Sequence, residues 1–207
     1  MAGKKRITKE LRDLMSGNDL NRNHFCIEMV NDSTEHIIAK ILGPPDTPYQ
    51  NGVFSIDITI PDKYPFEPPV CKFITKVWHP NISSATGAIC LDILKGRWAV
   101  SMTLESLIRS LQSFLESPVP NDPQDAVVGN QYRASRQLYD KTAKYWTYWY
   151  AMSDDNRKNV DRNEFKDFEE KIDKFVKKTK APTETALTSL SCSHWNLNDA
   201  LRSYNIR

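Results

Sequence analysis

The sequence predicts an α+β fold. An N-terminal helix, a four-stranded antiparallel meander and further helices form one body, and a small three-helix bundle follows. Three observations carry this. Apolar and polar residues alternate from Val53 to Ile60, the period of a strand covered on one face. Apolar residues recur at helical spacing around 4–16 and 102–117. A polar, aperiodic stretch at 152–163 then separates this region from three short helical patterns.

Taken in order, Ile7, Leu11 and Leu14 mark the apolar stripe of the first helix, and Gly17 stops it. Its other side carries Lys4, Lys5, Arg6, Lys9 and Arg12, either a solvated face or a docking surface. His24 to Val30, Thr34 to Leu42, Val53 to Ile60 and Val70 to Ile74 read as strands. Short turns such as Asn31-Asp32-Ser33 and Gln50-Asn51-Gly52 make a meander the simplest topology. The proline-rich stretch from Pro61 to Pro69 is a stiff loop, and its Phe66 is expected to pack inward. Leu104, Leu107, Ile108, Leu111 and Leu115 define a central buried helix, ended by the rigid segment Ser117 to Pro123. Gln124 to Val128 begins a short helical turn. Ser135 to Ala151 reads as a helix whose aromatic side packs.

The chain thus divides into a body at 1–151, a linker at 152–163 and a bundle at 164–207. In the bundle, Phe168, Ile172, Phe175 and Val176 form the first helical pattern. Pro182 opens the second, burying Ala186, Leu187 and Leu190, and Asn196 caps the third, with Leu197, Ala200, Leu201 and Tyr204 on one face. So short a bundle has little core of its own and is expected to be marginal alone.

Composition narrows the classes. The 207 residues are 40% hydrophobic and 26% charged, ordinary for a globular protein, and the net charge of +2 is too mild to imply a nucleic-acid partner. No apolar run reaches the length that spans a bilayer, and the basic start leads into an amphipathic helix rather than a signal sequence. A cytoplasmic or nuclear protein without membrane contact is expected. Cys26, Cys71, Cys90 and Cys192 are scattered without a CxxC pair, so neither a zinc site nor a disulfide framework is indicated.

The chemistry centres on His79 to Trp98, HPNISSATGAICLDILKGRW. Cys90 follows a polar loop and precedes the mixed run Leu91-Asp92-Ile93-Leu94, which would set its sulfur at the rim of a packed body. A thiolate forms thioesters readily. No histidine stands ready as its base, because His79 beside Pro80 suits a rigid turn. That disfavours a protease-like Cys/His pair and favours an acyl carrier, loaded from an already activated thioester. Asn81 is either a carboxamide donor to the oxyanion of thioester attack or a brace of its loop. Asp122 is either a turn aspartate before proline or an acid that orients an attacking lysine and helps it lose a proton.

His79-Pro80-Asn81, then Ile89-Cys90-Leu91-Asp92-Ile93-Leu94, then Trp98, resemble the active-site signature of ubiquitin-conjugating enzymes, and the likeness covers residues 4–151. It implies the UBC fold. It also implies that Cys90 accepts the C-terminal glycine of ubiquitin from an activating enzyme, that Asn81 assists when a substrate or ubiquitin lysine attacks, and that Asp122 lies beside the cysteine as the acidic residue of that loop. It implies no metal or organic cofactor, ATP being consumed upstream by the activating enzyme. It places the first helix where activating enzyme and ligases dock, and gives Phe66 and the loop after Trp98 to a ligase, of the RING type among others. Here Trp98-Ala99-Val100-Ser101 departs from the Ser-Pro-Ala of members that serve many RING ligases.

The tail resembles a ubiquitin-associated domain, a pairing found in conjugating enzymes that build degradation-signalling chains. It departs where such domains carry an apolar Met-Gly-Phe type loop: this chain has Lys177-Lys178-Thr179-Lys180-Ala181, and weakened or altered ubiquitin binding is expected. Two other readings compete. A conjugating enzyme for another ubiquitin-like protein would differ in its activating enzyme. A non-catalytic adaptor of the same fold would lack the cysteine, and Cys90, Asn81 and Asp122 are all present.

Overall fold

The computed structural model describes residues 2–94 and 96–205. Helix α1 (Ala2–Ser16) and the short α2 (Leu20–Asn23) lead into strands β1 (Phe25–Met29), β2 (His36–Leu42), β3 (Val53–Thr59) and β4 (Val70–Phe73). The strands pair antiparallel in sequence order, the meander that the short turns predict. Ile37, Ala39 and Ile41 of β2 and Phe54, Ile56 and Ile58 of β3 point to one face and are buried there. Ile7, Leu11 and Leu14 of α1 join the same core. The opposite face carries His36, Lys40, Ser55 and Asp57, with His36 Nε2 2.5 Å from Asp57 Oδ1.

The first two strands are shorter than their sequence patterns. His24 sits in the left-handed region and Val30–Asp32 turns as a 3-10 segment, so pairing is confined to Phe25–Met29 and starts at His36 on β2. Helix α3 (Leu104–Phe114) is also shorter than its apolar pattern. Thr103 and Ser106 close a reciprocal cap at its start, and Leu115 donates to Gln112 O, tightening its last turn. Its residues Leu104, Leu107, Ile108 and Leu111 are buried in the core.

The region after Pro123 is more helical than its composition suggests. Asp125 caps α4 (Ala126–Ala134), and Ser135 ends it and caps α5 (Arg136–Tyr150). The polar stretch expected to be a linker contains α6 (Asp154–Lys158) and runs into a 3-10 turn at Arg162–Phe165. Arg157 donates to Tyr148 O and Trp149 O, and Asn156 donates to Asn51 O. Polar side chains therefore pin this segment to exposed backbone, a role that apolar periodicity does not register.

The tail forms α7 (Lys166–Thr179), α8 (Thr183–Cys192) and α9 (Leu197–Asn205), the last capped by Asn196 as its position predicts. It does not stand apart. Tyr145 of α5 packs on Phe165, Phe168 and Trp195, and the rings of Phe168 and Trp195 stack at 3.4 Å. Trp195 Nε1 donates to Thr142 Oγ1 at 2.9 Å, and Trp146 Nε1 to Ser191 Oγ at 2.9 Å. The little core available to so short a bundle is thus extended by the aromatic side of α5. The ion pairs across this seam, Lys76–Glu184, Lys141–Asp167 and Lys144–Glu164, are partly exposed and add little beside that burial.

Candidate active site

After β4 the chain passes through Trp78 and His79-Pro80-Asn81 into a tight hairpin that ends at Cys90. The hairpin is tied by Ser83 N donating to Ala88 O, Gly87 N to Ser83 O, and Phe73 N to Gly87 O at 2.9 Å. Gly87 adopts φ +75°, and a side chain there would run into the Phe73 carbonyl. Cys90 N then donates to Asn81 O at 2.9 Å, so the cysteine backbone is pinned to the segment bearing the asparagine. Cys90 is half-buried, followed by a 3-10 turn at Asp92–Leu94 whose Ile93 and Leu94 pack on the core. Sequence reasoning put the sulfur at the rim of the body, and its residue lies there.

Asn81 is only 2% exposed, and its carboxamide is fully engaged. Oδ1 accepts from Val119 N at 2.7 Å, while Nδ2 donates to Val119 O at 2.9 Å and to Asp122 O at 3.0 Å. Of its two sequence roles, this geometry is the brace: both N–H protons go to backbone carbonyls of the loop opposite. Asp122 lies on that loop with its side chain exposed. The three candidate residues therefore form one hydrogen-bonded series, Cys90 N–H to Asn81 O and Asn81 Nδ2 to Asp122 O.

His79 is fully buried. Its ring lies 5.1 Å from Phe114 and 5.9 Å from Tyr49, and its Nδ1 accepts from Asn81 N at 3.1 Å. Burial pushes its pKa down to about 3, so the imidazole is neutral and structural, in line with the turn role. Between the ordinary value of 6.5 and about 3, the unfolded chain carries the proton and the folded chain does not. The stability contributed by this burial is full above pH 6.5 and is lost as pH falls toward 3, at roughly 1.4 kcal/mol per pH unit. Urea unfolding across pH 6.5 to 4 is expected to show that slope. His79→Asn, whose Oδ1 can take the place of Nδ1 without titrating there, should flatten it, and an unchanged slope would place the acid sensitivity elsewhere.

Two residues that sequence reasoning did not single out hold the site together. Asp125 caps α4 through Val127 N and Val128 N, and its Oδ2 accepts from Ser84 N at 3.0 Å and Ser84 Oγ at 2.6 Å. Asp125 N also donates to Pro80 O at 2.9 Å. An aspartate just before Ala-Val-Val is an N-cap signal, but nothing local pairs it with a serine 41 positions earlier. Tyr49 is the other: its hydroxyl donates to Trp78 O at 2.9 Å and meets the Tyr139 hydroxyl at 2.6 Å.

Phe66 is 76% exposed and does not pack inward as expected from the residues alone. The chain around it is fixed: Trp98 Nε1 donates to Pro65 O at 2.8 Å, and the Tyr64 and Trp98 rings lie 6.0 Å apart. Arg6 of α1 donates to Val100 O and Met102 O, and Glu10 accepts from Tyr64 OH and Leu104 N. One member of the basic face of α1 is thus spent on joining the two loops, while Lys4, Lys5, Lys9 and Arg12 remain exposed. In the tail, Lys180 is exposed at φ 59° in the turn between α7 and α8, and Ala181 beside it is buried.

Among the described residues, no group of three or more His, Cys, Asp or Glu is placed to hold a metal ion, and no helix is long and apolar enough to cross a membrane.

Comparison with known proteins identifies the family. The family model described as "Ubiquitin-conjugating enzyme" matches residues 6–147. Ubiquitin-conjugating enzyme E2 K of Homo sapiens is 47% identical over 146 residues, covering 70% of this chain and 73% of that protein. Ubiquitin-conjugating enzyme E2-22 kDa of Drosophila melanogaster is 43% identical over 195 residues, 94% of each chain, so the likeness continues into the tail helices. A solved ubiquitin-conjugating enzyme E2 domain from Toxoplasma gondii, 43% identical, superposes with a TM-score of 0.66 over 72% of this chain and 98% of that one. With His79-Pro80-Asn81 and Cys90 joined through one hydrogen-bonded hairpin and the α+β body around them, the chain belongs to the ubiquitin-conjugating enzymes, transferases that work through a cysteine thioester.

Proposed function

We propose that Cys90 is the cysteine that carries ubiquitin. The observation that carries this reading is its half-buried position at the end of the hairpin, with its N–H on Asn81 O. The other cysteines fit less well. Cys71 is buried in the sheet, and desolvation pushes its thiol up to about 12; desolvation also raises that of Cys26. Cys192 lies at the end of α8, outside the segment matched by the family model.

In this reading the Cys90 thiolate attacks the carbonyl carbon of ubiquitin held as a thioester on its activating enzyme, and that enzyme's thiolate leaves. A substrate or ubiquitin lysine then attacks the new thioester, the isopeptide bond forms, the Cys90 sulfur departs with its bonding electrons, and the amine loses its proton. Asp122, exposed on the facing loop, orients the amine and helps take that proton. Asn81 keeps the loop bearing Asp122 closed against the hairpin, and an N–H turned toward the oxyanion would release Val119 O or Asp122 O. ATP is consumed upstream by the activating enzyme. Phe66 and the loop after Trp98 are the ligase-facing surface, RING ligases included, and the products are degradation-type chains made in the cytoplasm and nucleus.

The test uses the whole chain with ubiquitin, activating enzyme and ATP. The wild type is expected to form an adduct cleaved by reducing agent, and Cys90→Ser one that resists reducing agent and yields to hydroxylamine. Linkage-specific mass spectrometry of the discharged products identifies the chain type. A reducible adduct that persists in Cys90→Ser would move the carrier to another cysteine.

A further inference from the structure

Helix α4 touches the active-site segment at two points. At its N-terminus, Asp125 N donates to Pro80 O, and the Asp125 carboxylate holds Ser84. Six residues on, Gln131, fully buried, accepts from Trp78 Nε1 through Oε1 at 2.7 Å. Trp78 directly precedes His79-Pro80-Asn81, and its indole is itself fully buried, 4.8 Å from Trp146. The other end of the Gln131 carboxamide is also taken: Nε2 donates to the Ser191 carbonyl on α8 at 3.4 Å, and Ser191 Oγ accepts from Trp146. A side-chain amide thus stands in the packed interior between the tail and the segment that leads into the signature. A buried amide of this kind costs stability wherever one end is left unpaired, and an apolar pair in place of Trp78 and Gln131 would fill the space without that liability.

We propose that Gln131 is a positioning residue of ubiquitin transfer: by fixing the Trp78 indole it sets the place of the Pro80-Asn81 backbone, and its contact with Ser191 makes the docked tail part of that support. The inference rests on Cys90 being the carrier. Gln131 touches neither ubiquitin nor the acceptor lysine. It acts through Trp78 on Asn81, whose backbone holds Cys90 and whose amide holds the Asp122 loop. A displacement of about 1 Å along such a series alters how the reacting atoms meet, and slows the reaction by up to about a hundredfold.

The test compares the full-length wild type, Gln131→Met, Trp78→Phe, and the double variant Trp78→Phe/Gln131→Met, each assayed well below its melting temperature. Met fills the volume of Gln without its polar ends. In Gln131→Met, the NMR signals of the Trp78 indole N–H and of the Asn81 carboxamide are both expected to move. Movement of the Trp78 signal with an unmoved Asn81 carboxamide would overturn the coupling, and this arm does not depend on any thioester. In single-turnover discharge to free lysine, Gln131→Met should be slowed roughly tenfold at saturating lysine, with the half-saturating lysine concentration unchanged. The double variant removes the indole N–H together with the amide, and Ser191 O still accepts from His194 N at 3.2 Å, so no polar group is stranded. Its stability should lie above the sum of the single losses while its discharge stays slow. A rate that recovers in step with stability, or a normal rate in Gln131→Met, would make Gln131 a packing residue only. Failure of the wild type to load on Cys90 would refute the parent reading and leave the NMR arm to judge the coupling.

Discussion

Asn81→Asp is expected to slow discharge of ubiquitin to lysine by roughly a hundredfold, while loading from the activating enzyme stays within a few-fold of wild type. The substitution preserves shape and one interaction, since a carboxylate oxygen still accepts from Val119 N. It removes both N–H donors and turns a carboxylate oxygen on the Val119 and Asp122 carbonyls, which the amide now bridges. With the residue only 2% exposed, that repulsion is poorly screened. The loop bearing Asp122 should therefore swing away from the hairpin. Asn81→Ala provides the comparison. It strands Val119 N and two carbonyls but introduces no charge, so a brace predicts that Asp destabilises the fold more than Ala does. A pure oxyanion donor predicts equal rate losses and no such difference in stability. Single-turnover loading and discharge, with urea unfolding of the same variants, measure both. Discharge by Asn81→Asp at the wild-type rate would remove Asn81 from the transfer step altogether.

Gly87→Ala is expected to destabilise the protein by roughly 3 kcal/mol, lowering the melting temperature by about 6–12 °C for a chain of this size. The residue has φ +75°, and an added Cβ would lie 1.9 Å from Phe73 O and 2.9 Å from Phe73 C. Neither neighbour can give way cheaply. Phe73 is 2% exposed at the end of β4, and its N–H is bonded to the Gly87 carbonyl, so relief means tearing the hairpin from the sheet edge. The hairpin leads directly to Cys90, so loading should fall together with stability. Thermal unfolding and a loading time course check both, and a loss below about 1 kcal/mol would show that the hairpin relaxes freely.

Much of the fold is legible in the order of residues because the relevant forces act over short separations. Alternation through Val53 to Thr59 specifies a strand with one covered face, and the 3.6-residue recurrence through Leu104 to Leu111 specifies a helix against it. Asn196 and Pro182 mark helix starts in the tail by local backbone chemistry. The stretch at 152–163 hides its helix for the complementary reason: that helix is held by Arg157 and Asn156 reaching distant carbonyls, and a polar residue looks the same in sequence whether it binds water or backbone. Phe66 is a similar case, since the rigidity of the loop and the Trp98–Pro65 bond keep it outward.

By itself, the sequence determined which side chains are candidates for the chemistry: a sulfur after a polar hairpin, an asparagine behind a proline, an acid in a proline-bounded turn, with periodic apolar stripes enough to wrap a core around them. Only the tertiary structure decided how those groups are employed. It spends both protons of the Asn81 amide on a loop 38 to 41 positions away, buries His79 beyond titration near neutrality, and sets Gln131 between Trp78 and a tail helix 60 positions further on. The physical reason is that hydrogen-bond partnership and desolvation depend on distances of a few ångströms in space, and these are set by how the whole chain packs.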